Sequence, residues 1–283
     1  VKNKHDVFVL SNGVKIPCIG FGTWLAEDGA QAKQAVLDAF AAGYTHIDTA
    51  EDYGNEQSVG DAIKESGIAR EYLFVTSKLQ NRFHSYHLAL GAFEETMRKL
   101  QLDYLDLFLI HWPNPIYFRD HWQEANAGAW KAMEELYRAG RIRAIGISNF
   151  QPRHIDELLK TAEIVPMANQ IRLCPGETQT ELVEYCRAHD MLLEAYSPFG
   201  HGDVFRDPAM QEMAHKYSKT VAQICVRWSL QRGYLPLPKS VSAERIKENI
   251  DVFDFELTQE DMDTITHMPG YGGFYTNPDV TNF

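Results

Sequence analysis

The chain has 283 residues, 45% of them hydrophobic and 12% aromatic, which is enough apolar side chain for a large buried core and rules out a disordered polymer. Its 27 basic and 39 acidic residues leave a formal charge of −12, which argues against nucleic acid or an anionic membrane surface as a partner held by charge. Four scattered cysteines, Cys18, Cys174, Cys186 and Cys225, fall at neither metal-ligand nor redox-motif spacing, so they read as free thiols in a reducing compartment, with no metal.

The opening VKNKHDVFVLSNG lacks the apolar core of a signal peptide, and no run approaches the roughly 20 apolar residues that span a bilayer. A cytoplasmic protein is expected. The first element is a hairpin, because Asn12-Gly13 separates two short β-prone runs in FVLSNGVKIP. Beyond it, predicted strands at 19–21, 45–48, 73–77, 105–111, 144–148, 167–170, 192–196 and 235–237 alternate with segments of helical period. Among these segments are AQAKQAVLDAFAAG, LALGAFEETMRKLQ, AWKAMEELYRAGR and RHIDELLKTA, with Gly43 and Gly140 marking expected helix ends.

Strands alternating with helices point to a parallel α/β sheet. An open doubly wound sheet would carry Gly-x-Gly-x-x-Gly after its first strand, but GFGTW at 20–24 has only the first two glycines. The expectation is therefore a (β/α)8 TIM barrel spanning residues 1–283 as a single domain, capped by the N-terminal β-hairpin, with its site at the C-terminal ends of the strands.

Those ends carry unusual chemistry. Asp48 closes the second predicted barrel strand, Lys78 lies at the end of the third and His111 at the end of the fourth, while Tyr53 follows in the loop after Asp48. Such a set can protonate an oxygen. A free phenol has a pKa of about 10, and a nearby ammonium pulls it down. In this reading Lys78 supplies that field, Asp48 holds Lys78, and His111 orients the substrate oxygen or shares its proton.

At this point the sequence closely resembles the aldo-keto reductases, over nearly its whole length. The matching motifs are GFGTW at 20–24, DTAEDYGNE at 48–56, TSK at 76–78, LIHWP at 109–113, GISNF at 146–150, Asn169-Gln170, AYSP at 195–198 and LPKSVSAERIKEN at 237–249. The resemblance implies a barrel that binds NADPH without a Rossmann domain and reduces a small-molecule carbonyl to an alcohol. It also implies a catalytic tetrad of Asp48, Tyr53, Lys78 and His111, in which Tyr53 gives the proton. A monomer is expected from the same resemblance.

Cofactor contacts are implied at Lys239, Ser240 and Arg245 for the 2′-phosphate, with Val241 also at the cofactor and Glu248 and Asn249 near the adenine. Tyr196 would stack on the nicotinamide, Ser148, Asn149 and Gln170 would bind its amide, and Thr23, Asp48, Ser197, Pro198 and Phe199 would complete the surface. Read without the resemblance, KSVSAERIK at 239–247 is equally an ordinary charged helix start. Arginine's fork of donors and the free N–H groups of a helix start suit a phosphate.

The substrate slot is expected from Trp24, Tyr53, His111 and Trp112, with Phe118 and Trp122 near the mouth and the tail GYGGFYTNPDVTNF at 270–283 folding over it. Three residues depart from the family pattern: Gln80 stands where Trp is common, and Arg172 and Cys174 replace part of a Glu-aromatic-His-Pro run. Arg119 and His121, in the segment 114–128, suggest a polar or carboxylated carbonyl, as in the similar bacterial 2,5-diketogluconate reductases. Two other functions compete. A glycosidase would use Glu194 and Asp48 but leaves Lys78 and the basic segment unexplained, and an NADPH-sensing channel subunit would bind without turnover.

Overall fold

A computed structural model describes residues 1–271 and 277–283; the part of the expected tail at 272–276 lies outside the described residues. The predicted hairpin forms from β1 (Val7–Val9) and β2 (Lys15–Pro17), antiparallel, with Gly13 at φ 85° in the turn between them. Leu10 and Ile16 are buried beneath it, and Asn12 Nδ2 donates to the carbonyl of Arg143 at 2.9 Å. The hairpin therefore covers the end of the barrel at which the strands begin.

Eight parallel strands make the barrel: β3 (Phe21–Gly22), β4 (His46–Asp48), β5 (Phe74–Leu79), β6 (Leu105–Ile110), β7 (Ile142–Ser148), β8 (Ala168–Arg172), β9 (Leu192–Tyr196) and β10 (Leu235–Leu237). Each pairs with its neighbour in sequence order, and the Gly20 and Gly22 N–H groups donate to Pro236 and Pro238 carbonyls at 3.1 Å, which joins the first strand to the last. Every residue of FVTSKL and LDLFLI is buried, because a parallel strand in a closed barrel has helices on one face and the interior on the other. The interior admits few large groups. At Gly20 a Cβ would stand 2.6 Å from both His46 Nδ1 and Leu237 Cδ2, so that glycine makes room for the His46 imidazole.

The outer ring is α1 (Ala30–Ala42), α2 (Glu56–Ser66), α3 (Tyr86–Leu100), α4 (Trp122–Arg138), α5 (Pro152–Leu159) and α6 (Thr180–Ala188), followed past an additional α7 (Pro208–Tyr217) by α8 (Val221–Gln231) and α9 (Ala243–Ile250). A last helix, α10 (Gln259–His267), is tied to α7 by Lys216 and Asp261 at 2.7 Å. Gly43 ends α1 in the left-handed region, where its N–H donates to Ala39 and Phe40 carbonyls, as the sequence predicts. α4 begins at Trp122, well before the predicted amphipathic run, so Trp122 belongs to a helix start and not to an open loop. No helix among the described residues is long and apolar enough to cross a membrane.

Candidate active site

The local chain path explains why Asp48 and Tyr53 meet. β4 ends at Asp48, and residues Glu51–Tyr53 then form one turn of 3₁₀ helix closed by Gly54 at φ 70°. That turn brings Tyr53 back over the strand ends. Lys78 lies one residue inside the end of β5, and His111 comes directly after β6.

The four predicted residues converge. Lys78 Nζ donates to Asp48 Oδ1 at 2.6 Å, to the Thr49 carbonyl at 2.9 Å and to Tyr53 OH at 3.2 Å. The same ammonium stands 4.9 Å from the Tyr53 ring centroid, and the His111 ring meets that ring edge-on at 5.8 Å. Lys78 and Asp48 are both buried, so the pair acts through a low local dielectric. Burial opposes the Lys78 charge, but Asp48 and then Tyr53 outweigh it and hold the ammonium above its ordinary range.

Tyr53 corrects one expectation. Burial pushes the phenol above its ordinary value; Lys78 pulls it down, and Asp48 pushes it up again. The net direction is upward, so Tyr53 keeps its proton at neutral pH instead of being drawn toward the phenolate. Lys78 remains the group that would stabilise negative charge developing at that oxygen.

A residue that the sequence reading passes over completes this corner. Asp52 Oδ2 lies 3.2 Å from His111 Nδ1 and accepts from the Asn81 N–H at 3.4 Å. Burial raises the Asp52 carboxyl, but His111, Asn81 and Gln80 together hold it below its ordinary range. Burial lowers the His111 pKa, Asp52 only partly reversing it. A neutral imidazole beside a carboxylate carries its proton on Nδ1, toward Asp52. The available sequence signal is position alone, since Asp52 directly precedes Tyr53 in the 3₁₀ turn.

Beneath the tetrad, Gln170 Nε2 donates to Asp48 Oδ2 at 2.8 Å and to Glu194 Oε2 at 3.0 Å. Glu194 is wholly buried, and burial followed by the Asp48 charge pushes its pKa up to about 8. The Gln170 amide fills the space between the two carboxyl groups that a glycosidase would need for a sugar.

The predicted nicotinamide residues also gather here. Ser148 Oγ donates to the Gln170 carbonyl at 2.8 Å, Asn149 Nδ2 donates to the His111 carbonyl at 3.0 Å, and Tyr196 OH donates to Asn149 Oδ1 at 2.8 Å. Asn149, at φ 64°, and Ser197, at φ 49°, both take the left-handed conformation that turns the chain sharply at the strand ends. Pro198 is buried, Phe199 packs on the core beside it, and Thr23 Oγ1 donates to the Asp48 carbonyl at 3.1 Å.

The basic segment follows β10. Lys239 Nζ donates to the Leu25 carbonyl at 3.1 Å, bridging to the loop after β3, while Val241 and Arg245 are exposed. Burial and then Arg245 lower the Lys239 pKa, and neither cation forms an ion pair among the described residues. Two neighbouring cations without a carboxylate suit a phosphate. Ser240 Oγ accepts from the Ser242 N–H at 3.1 Å, Glu248 accepts from Thr220 Oγ1 at 2.7 Å, and Asn249 is buried.

Around the mouth, Trp24 is exposed and meets His201 edge-on at 5.6 Å, and Trp112 meets Phe283 at 5.1 Å. Phe118 instead stacks on His84, and Trp122 packs on His154. The described end of the tail is pinned there: Asp279 bonds Asn114 at 3.1 Å and His154 at 3.0 Å and pairs with Arg153, while Arg119 binds the Thr281 carbonyl and hydroxyl. Arg119 thus anchors the tail, which corrects its reading as a substrate-carboxylate binder. Arg172 is likewise buried and paired with Glu177 at 2.8 Å, and Cys174 is buried beside it.

The aldo/keto reductase family model matches residues 18–268. The chain is 47% identical over 278 residues to glyoxal reductase of Bacillus subtilis (strain 168), covering 98% of each. It is 43% identical over 267 residues to 9,11-endoperoxide prostaglandin H2 reductase of Trypanosoma cruzi (strain CL Brener), covering 93% of this chain and 92% of that one. Among solved structures, an aldo-keto reductase from a Medee basin deep-sea metagenome library superposes with a TM-score of 0.91 at 39% identity over 98% of this chain and 100% of its own. A Bombyx mori aldo-keto reductase in complex with NADP gives 0.83 at 36% identity over 94% and 92%.

Proposed function

The chain belongs to the aldo/keto reductase family, and from that premise we propose that it reduces aldehydes and ketones to alcohols with NADPH, using Tyr53 as the general acid. The observation that carries this reading is the 3.2 Å contact of a buried, charged Lys78 with the hydroxyl of a protonated Tyr53.

The residues present fit the cofactor. Arg245 and Lys239 are the donors for a 2′-phosphate, Tyr196 is the ring at the nicotinamide end, and Ser148, Asn149 and Gln170 are its amide partners. When bound, the reduced nicotinamide supplies a hydride to the carbonyl carbon. As charge builds on the carbonyl oxygen, Tyr53 donates its proton there, and the Lys78 ammonium, fixed by Asp48, stabilises the phenolate left behind.

His111 takes the orienting role. With its proton directed at Asp52 through Nδ1, the neutral ring has no proton on Nε2 to give, so its part is to shape and position. The rim is polar and acidic through Asp52, which Gln80 also supports, and Arg119 is held by the tail. Small neutral polar carbonyls, such as dicarbonyls and keto-sugars, suit that rim better than keto acids, and the similarity to a glyoxal reductase points the same way. A single-domain, monomeric and cytoplasmic enzyme goes with this reading.

The test is Tyr53→Phe. Reduction of glyoxal and of a keto-sugar should fall by about 10²-fold or more while the NADPH dissociation constant stays within about threefold. Retained turnover would remove Tyr53 as the acid, and lost NADPH binding would show that the substitution acts on the fold.

A further inference from the structure

Glu194 is a buried acid that this mechanism does not use. It lies on β9, level with Gln170 on β8 in the parallel register, with Asp48 reaching in from β4 across the barrel. Its Oε2 accepts from Gln170 Nε2 at 3.0 Å, and its Oε1 has no hydrogen-bond partner. Removing it from water is costly unless it is hydrogen-bonded, and Gln170 supplies the one such bond it has among the described residues.

An amide nitrogen has two hydrogens. Gln170 Nε2 directs one at Asp48 Oδ2 and the other at Glu194 Oε2, so both its donors are used. A flipped amide would set its oxygen against the Asp48 carboxylate, 2.8 Å from the present nitrogen, which can only accept. The turned state is therefore unique, and Gln170 Oε1 remains the acceptor, with no partner of its own among the described residues. With Asp48 alone, one N–H would be satisfied and the amide, held at a single hydrogen, would be free to tilt about that contact.

We propose that Glu194 is a positioning residue acting through Gln170: by taking the second amide hydrogen it fixes Gln170 Oε1 as the acceptor for the carboxamide N–H of the nicotinamide. The proposal rests on the placement of Gln170 at the nicotinamide end given above. Glu194 touches neither cofactor nor substrate in this role. The single ammonium of the layer, Lys78, is already matched by Asp48, and Glu194 acts as a neutral carboxylic acid whose carbonyl oxygen accepts from Gln170.

The experiment measures binding and needs no turnover. Dissociation constants for NADPH and for its 3-acetylpyridine analogue, which lacks the carboxamide N–H, are taken by quenching of protein fluorescence in wild type, Gln170→Ala, Glu194→Met and Glu194→Gln. Wild type should prefer NADPH, Glu194→Met should reduce that preference by about five- to tenfold, and Glu194→Gln, which keeps an acceptor oxygen, should restore most of it. A wild-type ratio retained in Glu194→Met, or equal weakening of both cofactors, would overturn the role of Glu194. A ratio unmoved by Gln170→Ala would instead overturn the placement of Gln170 itself. In the unsubstituted protein, the Gln170 side-chain NH2, identified by its loss in Gln170→Ala, should give a pair of amide resonances protected from exchange; freely exchanging resonances would overturn the proposal even if Glu194→Met does not fold.

Discussion

The Lys78 ammonium stands 2.6 Å from the Asp48 carboxylate with both side chains excluded from water. Breaking such a pair from one side leaves a buried charge without its partner, which costs about 3 to 5 kcal/mol, whereas removing both partners costs much less. Asp48→Asn should therefore be destabilised by about that amount in urea unfolding and should lose most activity. Asp48→Asn combined with Lys78→Met should recover much of the stability and none of the activity. Additive losses in the double variant would contradict the pairing.

Asp52 holds His111 by one contact at Nδ1. If His111 orients the carbonyl, Asp52→Ala should raise KM for the carbonyl by about three- to tenfold with a smaller change in kcat, measured at saturating NADPH. A fall in kcat with KM unchanged would point instead to His111 as a proton donor.

Three buried histidines predict acid sensitivity. Burial pushes His46 and His154 down to about 3, with smaller contributions from Lys78 and Arg153 respectively, and it pushes His84 down to about 4. A depressed folded pKa means that the unfolded chain binds more protons, so the stability these groups contribute is complete above about 6.5 and is lost as pH falls toward 3 or 4. Unfolding free energy should drop by at least about 2 to 4 kcal/mol between pH 7 and pH 4. Replacing His84 by Asn should shallow that slope in parallel denaturation curves.

Arg245 is exposed and close enough to Lys239 to depress its pKa. Arg245→Ala should weaken NADPH about 10- to 100-fold and leave NADH binding within about twofold, and the wild-type preference should shrink with added salt. Equal weakening of both cofactors would remove Arg245 from the 2′-phosphate.

The barrel is legible in the sequence because its strands are short apolar runs with helical periods between them; β9 and β10 begin and end where the pattern places them. The tetrad is legible because Asp48, Lys78 and His111 recur at corresponding strand ends. Contacts that cross the barrel are not. Nothing in the spacing of Asp48, Gln170 and Glu194 says that one amide nitrogen joins them, since that depends on barrel curvature and on which face each residue takes. Composition also misleads at Arg119: an arginine beside a mouth suggests an anion, and only the folded chain shows the tail carbonyl that uses it. The direction of the Tyr53 shift fails for a similar reason, because burial depth is not written in the motif.

The hairpin laid across the far end of the strands makes the barrel a vessel closed at its base. Glu194 and Asp48 lie between that base and the mouth, joined through the Gln170 amide. The residues gathered at Asp48, Lys78 and His111 thus stand at the open rim, and changes within the hairpin act on the base of the vessel.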